Sequence, residues 1–244
     1  GAQNISQDGQ WLIFAGCNYP EGQGSCDLYI AYKMKNDKWT EPENLGPIVN
    51  TDYWESSPSL SPDKRDLYFC SNMPGGYGGK DIWVTHRTQA GKWSRPENLG
   101  PEINTNGDDA CPFIHADNQT LYFTSNGWPG LGNGDIFMAR KTDTSWTTAE
   151  NIGYPINTEN DDNGLTVSYD GKMAFLASNR AGGFGGLDIY RFELPEKVQP
   201  QKITYIKGTV KDAYSKQLLN AEYTIIDLSS QRQLLSGNTT DGVF

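Results

Sequence analysis

Four aspartates, Asp27, Asp81, Asp135 and Asp188, stand 54, 54 and 53 residues apart in this chain. Each is followed by two apolar or aromatic residues: Leu28-Tyr29, Ile82-Trp83, Ile136-Phe137 and Ile189-Tyr190. Trp39, Trp93 and Trp146 keep the same spacing, as do Asn44-Leu45-Gly46, Asn98-Leu99-Gly100 and Asn151-Ile152-Gly153. Asn50-Thr51, Asn104-Thr105 and Asn157-Thr158 follow in the same order. A sequence that repeats itself at a fixed period has to be read as stacked copies of one supersecondary unit. That unit cannot bury its apolar face alone, so the period constrains the fold more than any other feature.

Within one period the pattern reads as four short strands. In the second copy Ser57–Ser61 alternates and enters a turn at Pro62-Asp63-Lys64. Asp66–Ser71 (DLYFCS) has the aromatic and apolar content of a buried strand. A glycine-rich turn, Pro74 to Gly79, leads into Asp81–Arg87, and a fourth strand is predicted around Trp93. No stretch holds a helical period over the roughly eleven residues that would convince. Four-stranded antiparallel units of this length are propeller blades. The expected fold is therefore all-β: a β-propeller with four blades visible, part of a larger propeller, plus a partial β-sandwich. Blades are expected over residues 1–194, a linker over 195–202 (PEKVQPQK) and the partial sandwich over 203–244, with strands at Ile203–Val210 and Glu222–Leu228. The first copy opens at Ala2–Ser6, the counterpart of Ser57–Ser61, and the fourth has no tryptophan strand. Its outer strand is expected to be missing or supplied from elsewhere, by a donor preceding Gly1.

Composition narrows the partners. With 20% charged and 12% aromatic residues the chain is a folded globular one. No apolar run reaches the roughly 18–20 residues of a membrane-spanning helix, and no basic segment precedes an apolar one as in a signal peptide. A formal charge of −10 disfavours nucleic acid and anionic membrane surfaces. Of four cysteines, Cys17 and Cys26 flank the loop Asn18–Ser25. A disulfide there would staple the loop and imply an oxidising compartment; two free thiols are the alternative. The disulfide is the expectation, with Cys70 and Cys111 free.

The blade pattern, carried by Leu60-Ser61-Pro62-Asp63, Leu67-Tyr68-Phe69, Ser71-Asn72 and Asp81-Ile82, resembles the WD-repeat-like propellers of exported bacterial proteins of the TolB type. More narrowly, the GGxGGxDI loops and the Trp…Pro-Glu-Asn-Leu-Gly…Ile-Asn-Thr run resemble the propeller of OmpA-family cell-envelope proteins of the Bacteroidetes type. Gly208–Asp212 and Thr239–Phe244 are similar to the opening of the carboxypeptidase-regulatory-like sandwich that follows the propeller in that family; Leu218-Leu219 depart from it where a proline is usual. The resemblance implies a periplasmic protein associated with the outer membrane, some of whose relatives belong to the type IX secretion machinery. It implies envelope proteins as partners, and peptidoglycan only through a domain absent from this chain.

Five groups of residues are candidates for chemistry. Asp27, Asp81, Asp135 and Asp188 follow glycine-rich turns, where a carboxylate accepts backbone N–H bonds. One carboxylate per copy falls short of the six to eight oxygens calcium takes, so the structural role is expected and no metal site. Glu55, Asp109 and Asp162 open the innermost strand of successive blades. A ring of them near a channel mouth could hold a cation or steer a basic partner; anchoring the preceding loop is the favoured alternative. The loops GGYGG and GGFGG join two strands, so no helix N-terminus follows to cradle phosphate. The repeated tryptophans read as wedges between blades, with Trp54, Trp128 and Tyr77 as better surface candidates. His86 and His115 neighbour no nucleophile motif, and the Ser-Pro-Asp turn is not the Ser-x-Asp-x-Gly-x-x-Trp box of sialidases. No catalytic residue and no cofactor are expected. The function implied is a non-enzymatic protein-binding or scaffolding propeller, with a glycan-binding lectin or glycoside hydrolase as the alternative.

Overall fold

The computed structural model describes residues 2–203, 206 and 208–239 and divides into two compact units, Gly1–Lys202 and Ile203–Phe244. The first unit is a four-blade propeller arrangement. Blade 1 holds β1 (Gln3–Ile5), β2 (Trp11–Cys17), β3 (Cys26–Tyr32) and β4 (Glu43–Asn44). Blade 2 holds β5 (Glu55–Leu60), β6 (Asp66–Ser71), β7 (Asp81–His86) and β8 (Glu97–Asn98). Blade 3 holds β9 (Asp109–Ile114), β10 (Thr120–Ser125), β11 (Asp135–Arg140) and β12 (Glu150–Asn151). Blade 4 holds β13 (Asp162–Val167), β14 (Met173–Ser178) and β15 (Asp188–Glu193). Every sheet is antiparallel in chain order.

Three apolar layers separate the four sheets. Ile13, Leu28, Ile30 and Val49 of blade 1 meet Leu60, Leu67, Phe69 and Trp83 of blade 2. Tyr68, Ile82, Val84 and Ile103 then meet Leu121, Phe123, Phe137 and Trp146 of blade 3. Tyr122, Ile136, Met138 and Ile156 meet Leu165, Val167, Ala174 and Leu176 of blade 4. The middle blades are covered on both faces, which is why β6 and β10 are buried almost without alternation. β15 alternates, one face covered and one not. Each large side chain so buried stabilises by roughly 1.5–3 kcal/mol, and these layers hold the unit together.

The first strands of the blades lie side by side around a central axis. Each of β5, β9 and β13 carries a bulge, where Ser57, Cys111 and Gly164 take φ of 52°, 51° and 62°. That conformation is costly for Ser and Cys, and it turns the chain towards a cavity of about 280 Å³ lined by Ala2, Ser57, Cys111 and Gly164 among others.

Two expectations change. The fourth strand does not form around the tryptophan: Trp39, Trp93 and Trp146 make only isolated bridges to Lys33, Arg87 and Lys141, and the ladder is the Glu-Asn pair further on. The residue before the pair is Pro42, Pro96 or Ala149, a position whose N–H faces away from the third strand: that of Ala149 bonds the Glu102 carbonyl (3.0 Å). Second, residues 195–202, which composition marks as a linker, pack onto blades 3 and 4. A short 3-10 turn at Glu196–Val198 places Leu194 and Val198 in the third apolar layer. They stand where Trp93 and Trp146 stand in the other two layers. Tyr122 donates its hydroxyl to the Val198 carbonyl (2.6 Å), and the Arg140 guanidinium to the Gln199 carbonyl (2.8 Å).

The second unit contains the hairpin β16 (Glu222–Ile226) and β17 (Gln233–Asn238), the first ending two residues before Leu228. The expected strand Ile203–Val210 falls in part, and the Thr240–Phe244 run wholly, outside the described residues.

Candidate interaction surface

The four period-defining aspartates each hold a glycine-rich loop. Asp27 accepts the N–H groups of Gln23 (2.7 Å) and Gly24 (3.0 Å). Asp81 accepts those of Tyr77 (2.5 Å) and Gly78 (3.2 Å), Asp135 those of Leu131 (2.6 Å) and Gly132 (3.1 Å), and Asp188 those of Phe184 (2.8 Å) and Gly185 (3.2 Å). In blades 1 and 2 the carboxylate also receives the amide of Asn44 (2.7 Å) or Asn98 (2.8 Å). The loops so held lie against the next blade: Ser25 N–H bonds the Tyr53 carbonyl and Gly79 N–H the Gly107 carbonyl, both at 2.9 Å. A Cβ on Gly24, Gly78 or Gly132 would run into carbonyl oxygens of that neighbouring loop. The glycines are there for backbone approach.

A second set, repeated in the sequence without an evident role, proves structural. The Asn50 side chain accepts the Leu28 N–H (2.8 Å) and donates to the Leu28 carbonyl (3.0 Å) and to Asn44 Oδ1 (2.8 Å). Asn104 clamps Ile82 and Asn157 clamps Ile136 in the same way. The signal was the constant six-residue step between the two asparagines of each copy. An amide carries an acceptor and two donor hydrogens on one short stem, so it satisfies both backbone groups of one residue and a neighbouring side chain at once.

Glu55, Asp109 and Asp162 do open the inner strands, but their side chains are 0% exposed and line none of the central cavity. Each closes its own preceding loop. Glu55 takes the Thr51 N–H (2.9 Å) and hydroxyl (2.5 Å), Asp109 those of Thr105 (2.5 and 2.9 Å), and Asp162 those of Thr158 (2.6 and 2.8 Å). Glu55 Oε1, which takes the Thr51 hydroxyl, also accepts the Ser71 hydroxyl (2.8 Å), and the Arg180 guanidinium donates to Asp162 Oδ1 (2.5 Å). Asp109, one methylene shorter, stands across the ladder from Ser125. Burial pushes the carboxyls of Glu55 and Asp109 up from their ordinary values, against hydrogen bonds from Thr51 and Ser71 at the first and from Ser125 and Thr105 at the second. The geometry is that of the loop anchor.

The histidines are likewise engaged. His86 Nδ1 lies 2.9 Å from Asp66. His115, buried, accepts the Asp117 N–H at Nδ1 and faces the Ser168 carbonyl with Nε2 at 3.1 Å. Among the described residues no group of three His, Cys, Asp or Glu side chains is placed to hold a metal ion. The central cavity is walled by uncharged side chains, including Asn4, Pro58, Phe113 and Thr166.

Cys17 and Cys26 face each other across β2 and β3 and are joined in a disulfide; Cys70 and Cys111 are free. Of the three surface candidates, Tyr77 is exposed. Trp54 is half-buried with the Lys80 ammonium 5.4 Å from its ring. Trp128 is half-buried too: its indole N–H donates to the Ile103 carbonyl (2.9 Å) and its ring packs on the second layer. What remains for a partner is the rim made by the glycine-rich and inter-blade loops. Tyr19, Tyr53, Tyr77, Leu131 and Tyr154 are exposed there, beside exposed Glu21, Asp52 and Glu159. The rim cations are spoken for, Lys80 by Asp108 (3.2 Å) and Arg180 by Asp162.

No protein-family model matches the chain, and no curated protein matches it in sequence. Among solved structures it is similar to TolB from Acinetobacter baumannii, with a TM-score of 0.55 at 11% identity over 99% of this chain and 55% of that one. A puromycin hydrolase gives a TM-score of 0.50 at 13% identity, over 95% of this chain and 32% of that one. The chain thus spans about half the length of that TolB. At such identity the likeness concerns the fold alone, a TolB-like β-propeller.

Proposed function

We propose that this chain is a non-enzymatic protein-binding propeller of a bacterial cell envelope, docking a basic partner on its loop rim. One observation carries the reading: among the described residues the carboxylates that recur from copy to copy, Asp27, Asp81 and Asp135 and again Glu55, Asp109 and Asp162, each hold a loop through backbone N–H or hydroxyl donors. Catalysis needs the reverse, a unique pair of acids with separated roles facing a cleft. The rim offers tyrosines and free acids on a rigid frame, the residue types that dominate binding and select a partner of opposite charge. A periplasmic site, association with the outer membrane, OmpA-family membership and a place in type IX secretion are the finer parts of this proposal. They rest on the GGxGGxDI loops and the Pro-Glu-Asn-Leu-Gly run.

The test uses the full chain as bait on envelope extract beside a glycan-hydrolysis screen. Capture should weaken with added salt and fall at least tenfold for Tyr53→Ala combined with Tyr77→Ala, while the melting temperature stays unchanged. Glycan turnover abolished by Glu55→Gln, Asp109→Asn or Asp162→Asn in folded protein would defeat the proposal.

A further inference from the structure

The four cysteines fall into two pairs by place as well as by bonding. Cys17 and Cys26 are joined, while Cys70 and Cys111 are free and meet across the interface of blades 2 and 3. Cys70 lies on β6, and Cys111 at the bulge of β9. The Ser57 hydroxyl, on the bulge of β5, stands 3.9 Å from Cys111 Sγ and also borders the Cys70 thiol. Cys70 Sγ itself lies against the Cys111 N–H and donates to the Ser56 carbonyl (3.4 Å). The next interface makes the same contact with other atoms. There Thr124 Oγ1, one copy on from Cys70, accepts the N–H of Gly164, one copy on from Cys111 (3.2 Å).

The repeat fixes these positions but not their residue types. Ala15 stands opposite Ser57, Cys70 opposite Cys111, and Thr124 opposite Gly164. Of the three interfaces only that of blades 2 and 3 carries a thiol on both sides, so blade formation does not require the pair. A disulfide needs Cα atoms roughly 4.4–6.8 Å apart and converging Cβ vectors. Two sulfurs that border one hydroxyl, one of them against the backbone N–H of the other residue, are a side-chain rotation from that geometry. Cys70 is 0% exposed, whereas Cys111 is partly exposed on the wall of the central cavity. Burial pushes the Cys70 thiol up to about 12 and raises that of Cys111 as well. The thiolate is the reactive form, so both stay reduced until an oxidant reaches the cavity.

We propose that Cys70 and Cys111 are a redox pair, oxidised by a small disulfide entering the central cavity, and that the bond so made staples blade 2 to blade 3. Cys111, on the cavity wall, loses its proton and attacks one sulfur of the incoming disulfide. The other sulfur leaves as a thiolate and takes up that proton. Cys70, deprotonated in turn, attacks the Cys111 sulfur of the mixed disulfide and expels the second thiolate, which is protonated likewise. Two electrons pass from the cysteines to the oxidant, two small thiols are released, and the chain loses two hydrogens. The new bond closes the loop of residues 70–111 and draws the Cys111 sulfur away from the cavity wall.

The test exposes the full chain to millimolar glutathione disulfide and counts its free thiols after unfolding. The count should fall from two to none, and peptide mapping should find Cys70 linked to Cys111. The melting temperature should rise by roughly 5 °C or more. Two variants take residues that neighbouring copies carry at the same places, which keeps the fold: Cys70→Ala, as at Ala15, and Cys111→Ser, as at Ser57. Cys70→Ala should stop at the mixed disulfide of Cys111 with glutathione. Cys111→Ser should react at least tenfold more slowly than Cys70→Ala. Lasting glutathione on Cys111 of the unaltered chain, two thiols that survive the exposure, or a disulfide between two chains would each overturn the proposal. So would a linked pair that melts no higher than the dithiol. Capture of a partner on the rim is a separate measurement, so failure here is distinct from failure of the scaffold reading.

Discussion

Replacing Asn104 by alanine isolates the device that closes each blade. Its amide makes three bonds, from the Ile82 N–H (2.8 Å), to the Ile82 carbonyl (2.9 Å) and to Asn98 Oδ1 (2.9 Å). After truncation the Ile82 carbonyl keeps the Leu99 N–H, and Asn98 Oδ1 keeps the Gly100 N–H (2.9 Å). The Ile82 N–H keeps nothing, and Ile82 is fully buried. Stranding a buried donor costs about 1–3 kcal/mol, and each of the two other lost bonds roughly 0.5–1.5 kcal/mol at most, less where the acceptor retains a partner. The expected loss is about 2–4 kcal/mol, or a fall in melting temperature of roughly 5–15 °C for a unit of this size. Asn104→Asp should be no milder, since it keeps the acceptor for Ile82 N–H but sets a carboxylate oxygen against the Ile82 carbonyl and Asn98 Oδ1. Asn36→Ala serves as control, because Asn36 is exposed and bonds only the Lys38 N–H nearby; it should stay within about 0.5 kcal/mol. Calorimetry and urea unfolding would read all three. An Asn104→Ala protein as stable as the Asn36→Ala control would refute the clamp.

Other perturbations test neighbouring parts of the same reasoning. Gly78→Ala should destabilise by about 1–3 kcal/mol, because the new Cβ meets the Thr105 and Gly107 carbonyls; a thermal melt that matches wild type would count against tight loop docking. Replacing both Cys17 and Cys26 by serine should cost roughly 2–3 kcal/mol through loss of the short loop closure, and mass mapping without reductant should find Cys70 and Cys111 unpaired. Asp117 is held well below the ordinary carboxyl value: burial opposes this, but hydrogen bonds from the Thr120 hydroxyl and from the N–H groups of Gln119, Thr120 and Gln201 prevail. A depressed folded value means stability present above about pH 4 and lost as pH falls through it. The gap between wild type and Asp117→Asn, about 1.5–3 kcal/mol from bonds to a charged group, should hold from pH 7 to 5 and shrink below 4. A gap that widens on acidification would contradict the assignment.

The propeller was legible because a blade must bury both faces against its neighbours, so the same residues recur at the same step. Asp27, Asp81, Asp135 and Asp188 alone fix the period, and all four hold the same loop of their blades. Two things escaped. The role of Asn50, Asn104 and Asn157 was hidden because a side chain that stands in for a strand leaves no strand pattern; only the backbone reveals what it bonds. The packing of residues 195–202 was hidden because Leu194 and Val198 share neither type nor spacing with Trp93 and Trp146, while filling the equivalent place. Glu55, Asp109 and Asp162 show the limit from the other side. Their spacing placed them correctly at the start of the inner strands, yet spacing cannot say whether a side chain turns to the axis or back under its own loop. The Thr51-x-x-x-Glu55 step and its two counterparts held that answer, since a hydroxyl and an N–H four residues before a carboxylate supply both its donors. Two local donors tie each of these acids to its own preceding loop, so the proposed partner is assigned to the rim and not to a ring of carboxylates.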